Sequence, residues 1–87
     1  MATEILIIDD NADIRNILDE LIQDAGYKTR LAANFNQGLS EIDKKLPDVA
    51  IIDVKLDKGD NDGIQLLEHI KKKNTDIPVI IISGHAN

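Results

Sequence analysis

Carboxylate and hydroxyl side chains directly follow apolar runs in this sequence, a pattern that could support phosphoryl chemistry. Asp9 and Asp10 follow one apolar run, Asp53 follows another, and Ser83 closes a third. A carboxylate can act as a nucleophile that forms an aspartyl-phosphate, and a nearby hydroxyl can contact the transferred group. If the three runs are neighbouring strands, these four side chains meet at one edge of a sheet.

The three carboxylates also predict a metal site. Two carboxylates about 4 Å apart repel each other by roughly 4 kcal/mol at an effective dielectric constant of about 20. Three together therefore require a cation or a raised pKa. An all-oxygen site with few protein ligands and several waters suits Mg²⁺, so Asp9, Asp10 and Asp53 are candidate ligands of this ion. Taken alone, each acid could equally be a helix cap or a solubilising residue, and Ser83 could belong to a simple turn.

The composition of the chain excludes or disfavours several other kinds of site and partner. The chain has 87 residues, enough for one small domain, and no cysteine, which excludes disulfides and thiolate metal sites. A net charge of −6 disfavours direct binding to nucleic acid backbones. The apolar runs are too short for a membrane span or a signal peptide. We therefore expect a cytoplasmic protein that binds neither membranes nor nucleic acid directly.

Strands are predicted where the apolar residues are continuous. Runs at 5–8, 49–52 and 79–82 are apolar on both faces, as in buried parallel strands, and 27–32 is typical of a short second strand.

Helices are predicted between these strands from apolar residues at helical spacing. Asp10 or Asn11 could cap the first helix and Gly26 could end it, Asn34 could cap the second, and Asp62 with the following glycine opens the third. The predicted inward faces are Ile14, Ile17, Leu18, Leu21, Ile22 and Ala25 in the first helix, Phe35, Leu39 and Ile42 in the second, and Ile64, Leu67 and Ile70 in the third.

The resulting order, βαβαβαβ, predicts an α/β fold with a doubly wound parallel sheet and helices on both faces. In the flavodoxin-like strand order 2-1-3-4, strands one and three are neighbours. Sites in such sheets form beyond the carboxyl ends of the strands, near the switch in strand order. This arrangement brings Asp9, Asp10 and Asp53 to one pocket.

These motifs, in this order, resemble the receiver domain of two-component response regulators. The matching segments are Ile7-Ile8-Asp9-Asp10-Asn11, Ile51-Ile52-Asp53, Asp62-Gly63 and Ile81-Ile82-Ser83-Gly84. Asp53 and Gly63 lie farther apart than in the commonest form of the family. This spacing and the segment 83–87 are similar to receivers of the NtrX type, which are attached to nitrogen-type sigma-factor activators.

The resemblance implies a role for each candidate residue. Asp53 would accept a phosphoryl group from a sensor histidine kinase. Asp9, Asp10, Asp53 and the backbone carbonyl of Lys55 would hold Mg²⁺, and Ser83 would be the switch hydroxyl that moves to the phosphoryl group. The domain would then switch an output domain on the parent chain, a transcriptional activator, and it would be a phospho-acceptor and not an enzyme.

The resemblance also predicts which part of the domain this chain contains. In the family a fifth strand carries a lysine that binds the phosphoryl group, and a last helix, strand and helix follow the fourth strand. We expect residues 1–87 to be the N-terminal part of a receiver domain, ending before the fifth strand. An open edge at strand 79–82 and an uncovered apolar face would then favour self-association of this piece.

Two other functions remain open. A phosphatase or phosphotransferase of the haloacid-dehalogenase kind also uses an aspartyl nucleophile, but it carries an Asp-x-Asp pattern that Asp9-Asp10-Asn11 lacks. A receiver-like interaction module without phosphorylation is favoured by the absence of the fifth-strand lysine and disfavoured by the complete set of acids.

Overall fold

Strands and helices alternate along residues 3–82, the part of the chain that the computed structural model describes. The strands are β1 (Glu4–Ile8), β2 (Lys28–Ala32), β3 (Val49–Asp53) and β4 (Val79–Ile82), and the helices are α1 (Ala12–Asp24), α2 (Phe35–Lys44) and α3 (Asp62–Lys73). The predicted order of elements is confirmed. The expectations about a fifth strand concern residues beyond position 87 and stay predictions.

The strands form one parallel sheet in the order β2-β1-β3-β4, which confirms the predicted doubly wound α/β fold. Ile8 at the end of β1 pairs with Ala32 of β2 on one side and with Ile52 of β3 on the other. Asp53, the last residue of β3, pairs with Ile82 of β4. The carboxyl ends of β1 and β3 therefore lie side by side, as the cluster of acids requires.

Side-chain caps fix where the first two helices begin. The side chain of Asn11, and not that of Asp10, caps α1 by accepting hydrogen bonds from the backbone N–H groups of Asp13 and Ile14. Asn34 caps α2 by accepting from the N–H of Gln37. Both caps satisfy N–H groups that have no partner within the helix.

The end of α1 also sets the start of β2. Gly26 has a φ of 97°, a left-handed conformation that glycine adopts without strain. The N–H of Tyr27 donates to the carbonyl of Ile22 and closes the helix end. The predicted start of the second strand at Tyr27 is therefore wrong by one residue, because the amide of Tyr27 belongs to the turn and β2 begins at Lys28.

One face of the sheet carries the main hydrophobic core. Leu6 and Ile8 of β1 pack there with Ile52 of β3, and helices α2 and α3 cover them. The buried residues of this core are Leu6, Ile8, Ala32, Ile42, Ala50, Ile52, Leu56, Leu66, Ile70 and Ile77. The aliphatic core that the composition implies is thus concentrated beneath two of the three helices.

The predicted inward face of α3 is wrong in part. Leu66 and Ile70 are fully buried, whereas Ile64 is 39% exposed. The reason is that Gly63 lies against the end of β3, so the buried face of α3 follows Gly63, Leu66 and Ile70 along the helix.

The opposite face of the sheet is less completely covered. Ile5 and Ile7 alternate with the core residues of β1 and are buried on this face, where α1 lies over β1 and β2. The predicted burial of the α1 face is nevertheless wrong, because α1 has no buried residue. Leu21 is 61% exposed, and Ile80 of β4 is 51% exposed. Together with the exposed Ile14 and Ile17 of α1, these side chains leave an apolar surface in contact with solvent.

Candidate metal and phosphoryl site

The three predicted acids converge where β1 and β3 end. One carboxylate oxygen from each of Asp9, Asp10 and Asp53 lies within 4.8 Å of the other two. Asp9 and Asp53 are buried, with 3% and 2% of their surface exposed, whereas Asp10 is exposed. Two carboxylates of the cluster are thus buried, and the third is in contact with solvent.

Hydrogen bonds hold the backbone of Asp9 between the sheet and α1. The N–H of Asp9 donates to the carbonyl of Ala32 at 3.1 Å, which extends the pairing of β1 with β2. The Asp9 carboxylate accepts from the N–H of Asn11 at 2.9 Å, and the Asp9 carbonyl accepts from Nη1 of Arg15 at 2.7 Å. The turn that carries two of the acids is therefore bonded on both sides.

Asp53 is held by the start of the loop that follows it. Its Oδ1 accepts a hydrogen bond from the N–H of Lys55 at 3.2 Å. The next residue, Val54, donates its N–H to the carbonyl of Ile82 and accepts from the N–H of Gly63. Strand β4 and the first turn of α3 thus fix the backbone that presents the Asp53 carboxylate.

The pKa of the Asp9 carboxyl is raised above its ordinary value, chiefly because burial disfavours the charged form. The hydrogen bond from Asn11 lowers this pKa, the charges of Asp53 and Asp10 raise it, and the guanidinium of Arg15 lowers it. The net direction is upward, so the surroundings of Asp9 oppose ionisation of its carboxyl group.

This electrostatic conflict predicts that Asp9→Asn stabilises the metal-free protein at neutral pH. The asparagine Oδ1 can keep the bond from Asn11 while one clustered charge disappears. In the unchanged protein the folded state holds the Asp9 proton to higher pH than the unfolded state does. The free energy of unfolding should therefore fall as pH rises from the ordinary aspartate pKa through the raised one. The variant should lack this decrease.

Urea unfolding in the presence of a chelator, between about pH 4 and pH 8, measures this difference. Asp13→Asn is the matched control, since Asp13 lies in the first turn of α1 and outside the cluster. If Asp9→Asn is less stable than the unchanged protein at neutral pH, burial of the Asp9 charge and repulsion within the cluster do not outweigh the favourable interactions of this carboxylate.

The cluster fits a small, hard cation. Mg²⁺ binds oxygen ligands at about 2.0–2.1 Å, so opposite ligands of its octahedron are roughly 4.2 Å apart. One carboxylate oxygen from each of Asp9, Asp10 and Asp53 lies within 4.8 Å of the other two, a limit slightly larger than this span. Asp9, Asp10 and Asp53 would therefore hold such an ion after only small side-chain movements.

The roles predicted for the other two site residues, Lys55 and Ser83, stay predictions. The carbonyl of Lys55 stays a predicted metal ligand, while its amide bonds to Asp53 and its ammonium group lies 3.6 Å from the carboxylate of Asp60. Ser83 lies outside the described residues, so its role as the switch hydroxyl stays a prediction.

Hydrogen bonds made by three residues close to the site in the chain were not anticipated from the sequence. Arg15 binds the Asp9 carbonyl, and Asp57 accepts a hydrogen bond from the N–H of Phe35 at the start of α2. Asp62 is buried and accepts from the N–H groups of Lys58 and Gly59. Asp62 opens α3 as predicted, but its carboxylate binds N–H groups of the loop before the helix and not those of the helix, which its position did not indicate. For Arg15 and Asp57, the sequence offers no local signal, because their partners are distant in the chain or belong to the backbone.

Comparison with known proteins agrees with this geometry. Residues 5–87 match the family described as the response regulator receiver domain. The chain is 38% identical over 87 residues to the nitrogen assimilation regulatory protein NtrX of Azorhizobium caulinodans, covering 100% of this chain and 19% of that protein. It is also 38% identical over 85 residues to sporulation initiation phosphotransferase F of Bacillus subtilis, covering 98% of this chain and 67% of that protein.

Solved structures show the same fold. The crystal structure of the receiver domain of NtrX from Brucella abortus has a TM-score of 0.83 and 37% sequence identity, covering 95% of this chain and 69% of that chain. The predicted similarity to NtrX-type receivers is confirmed. The chain spans about a fifth of the length of the NtrX relative from Azorhizobium. The sequence motifs, the strand order and the family match lead to one conclusion: this chain belongs to the response regulator receiver domain family.

Proposed function

We propose that this domain accepts a phosphoryl group on Asp53 from a sensor histidine kinase and thereby switches an output domain on the same protein. The observation that supports this proposal best is the position of the buried Asp53 carboxylate within 4.8 Å of the Asp9 and Asp10 carboxylates. A pocket of oxygen ligands around a carboxylate nucleophile is what transfer to aspartate requires.

The roles of the residues follow from their positions. A carboxylate oxygen of Asp53 would form a bond to phosphorus while the bond between phosphorus and the donor nitrogen breaks. The N–H of Lys55 orients the acceptor carboxylate through its bond to Oδ1. Asp9, Asp10, Asp53 and the Lys55 carbonyl would hold Mg²⁺, which when bound offsets the negative charge of the phosphoryl group. Ser83 would contact the phosphoryl group as the switch hydroxyl.

The proposal makes the domain a phospho-acceptor and not an enzyme, because the phosphoryl group stays on Asp53 until it is hydrolysed. A transcriptional activator as the output domain is supported by the regulatory relatives of the NtrX type. Within residues 3–82, no helix combines the length and the hydropathy that a membrane span requires. We place the protein in the cytoplasm, where its kinase partner would act on it.

The phosphatase alternative receives no support from the comparisons, and Asp9-Asp10-Asn11 lacks its motif. The interaction module without phosphorylation differs from our proposal in one measurable property, the chemical competence of the acid cluster. Binding of Mg²⁺ and labelling of Asp53 by acetyl phosphate therefore separate the two functions.

We expect Mg²⁺ to bind the acid cluster of the 87-residue chain. In an NMR titration, the amides of Asp10, Asp53 and Lys55 should shift first, since they belong to or adjoin the proposed ligands. Asp10→Asn should weaken binding because it removes one of the three charges, whereas Asp13→Asn should leave the affinity unchanged. A folded sample whose spectrum does not respond to millimolar Mg²⁺ would contradict the proposed site.

We also propose that the 87-residue chain self-associates. In the sheet that residues 3–82 form, strand β4 is an edge, and Ile80 on it is 51% exposed next to an incompletely covered apolar face. A flat apolar edge is a template for pairing with another chain. Light scattering should give a mass above the 9.6 kDa of one chain. Ile80→Lys should shift the population towards monomer, and Ile64→Lys, an exposed isoleucine on α3, is the control. A monomer of the unchanged chain at all concentrations would refute this proposal.

A further inference from the structure

Arg15 is the side chain of α1 that binds the turn carrying the first two acids. Its Nη1 donates to the carbonyl of Asp9 at 2.7 Å in a partly buried position. Arg15 lies in the first turn of α1, just after the Asn11 cap. The helix that begins at this turn therefore also restrains the turn, through the side chain of Arg15. A short bond from a guanidinium group is one of the stronger hydrogen bonds in proteins.

The bonded carbonyl belongs to the peptide group that joins Asp9 to Asp10. The orientation of this peptide determines the direction in which the Asp10 side chain leaves the backbone. The Asp9 carboxylate has a further restraint, its hydrogen bond from Asn11. Asp10 is the exposed member of the cluster, so the fixed peptide before it is the restraint that the structure provides on its position.

We infer that Arg15 is a positioning residue that fixes the Asp9–Asp10 peptide and thereby keeps the Asp10 carboxylate in reach of Asp9 and Asp53. The inference rests on the proposed Mg²⁺ site and adds to it a residue that does not touch the ion. Groups that orient metal ligands in this way typically change metal affinity by roughly ten- to a hundredfold when they are replaced.

The charge of Arg15 acts in the opposite direction from its hydrogen bond. A guanidinium group close to the cluster repels an incoming Mg²⁺, so removal of its charge alone should strengthen binding. Loss of the hydrogen bond should instead let the Asp10 carboxylate move away and weaken binding. The sign of the change in affinity therefore distinguishes positioning from a simple charge effect.

The experiment measures the Mg²⁺ dissociation constant of the 87-residue chain by NMR titration, with all proteins at the same concentration. Arg15→Met removes both the charge and the hydrogen bond while keeping an apolar stem. Arg15→Lys keeps the charge and can donate only from a single ammonium group. Lys72→Gln is the control, because it makes the same change in net charge at an exposed position in the last turn of α3.

We expect Arg15→Met to weaken Mg²⁺ binding by about tenfold or more and Arg15→Lys to weaken it less. Lys72→Gln should bind as the unchanged protein does. Mn²⁺ in place of Mg²⁺ gives a local readout: in Arg15→Met, paramagnetic broadening of the Asp10 amide should decrease relative to that of the Lys55 amide. A purely structural role of Arg15 would lower the urea midpoint and leave the ratio of the two broadenings unchanged.

If Arg15→Met and Arg15→Lys both bind Mg²⁺ as tightly as the unchanged protein, or more tightly, Arg15 does not position the cluster and the inference is wrong. The proposed metal site would survive that result. If the unchanged protein itself does not bind Mg²⁺, the metal site and the inference that rests on it both fail. Should Arg15→Met not fold, the affinity of Arg15→Lys relative to the unchanged protein still decides, because these two proteins have the same net charge.

Discussion

Asp53→Asn is expected to abolish phosphorylation by acetyl phosphate or a cognate kinase in the full-length product of the gene that encodes this chain. The carboxylate of Asp53 lies at the end of β3 with 2% of its surface exposed and close to two further carboxylates. An asparagine amide at the same position keeps the shape of the side chain but cannot act as the nucleophile. Because no other group would accept the phosphoryl group, the expected loss is complete.

The control for this experiment is Asp13→Asn. Asp13 is an exposed acid in the first turn of α1 and does not belong to the cluster, so its replacement should leave labelling unchanged. Incorporation should require Mg²⁺ and should disappear after hydroxylamine treatment, which cleaves acyl phosphates. Persistent labelling of the Asp53→Asn protein would assign the acceptor to another residue.

The labelling experiment also separates two of the functions that the sequence leaves open. An interaction module without phosphorylation predicts no labelling of either protein under any of these conditions. A phospho-acceptor predicts labelling of the unchanged protein and of Asp13→Asn alone. Absence of labelling in the unchanged full-length protein would therefore favour the interaction module over our proposal.

Much of the fold follows from the sequence because buried parallel strands leave a strong local pattern. Continuous apolar runs marked β1, β3 and β4, and the acids directly after the first two of these runs marked the carboxyl ends where the carboxylates cluster. Caps such as Asn11 and Asn34 are also local, since their partners lie two or three residues along the chain.

Hydrogen bonds between residues that are more than a few positions apart leave no such local pattern in the sequence. Arg15 and Asp57 resemble ordinary polar surface residues in the sequence, yet Arg15 donates to the Asp9 carbonyl and Asp57 accepts from the backbone N–H of Phe35. The exposure of Leu21 could not be predicted either, because apolar spacing indicates which face of a helix is hydrophobic but not whether another element covers it.

Gly63 shows how a tertiary contact can override a helical pattern. The spacing of Ile64, Leu67 and Ile70 gives an acceptable apolar face for α3. In the observed helix Ile70 stays buried but Ile64 is exposed, because the backbone at Gly63 approaches the end of β3 so closely that only glycine fits. Such an approach is a property of two segments together, and neither segment reveals it alone.

The short distance between the backbone of Gly63 and the end of β3 predicts the effect of replacing Gly63. A Cβ atom added at position 63 would lie 2.5 Å from the carbonyl oxygen of Asp53 and 2.6 Å from the Cα of Val54. Both are backbone atoms of the segment that carries the acceptor carboxylate, so they cannot move aside as the end of a side chain could. Gly63→Ala must therefore displace the first turn of α3 from the end of β3, or displace Asp53 itself.

We expect Gly63→Ala to lower the free energy of unfolding by about 1–3 kcal/mol, the usual range for overpacking, which is a large fraction of the stability of a small domain. It should also weaken Mg²⁺ binding and slow labelling of Asp53, because the hydrogen bond from the Gly63 N–H to the Val54 carbonyl at 2.9 Å holds the same backbone. Urea unfolding in chelator gives the first quantity, and the Mg²⁺ titration and acetyl phosphate labelling give the other two.

Gly59→Ala is the matched control for Gly63→Ala. The same chemical change occurs in the loop just before α3, but the nearest atom to the added Cβ, Oδ1 of Asp62, is 3.9 Å away, an ordinary van der Waals distance. The φ angle of Gly59 is not positive, so alanine fits its backbone conformation. Its stability should change by no more than about 0.5 kcal/mol. Equal stability and equal Mg²⁺ affinity of the two variants would mean that α3 does not approach β3 as closely as described, and that the acceptor segment does not depend on Gly63.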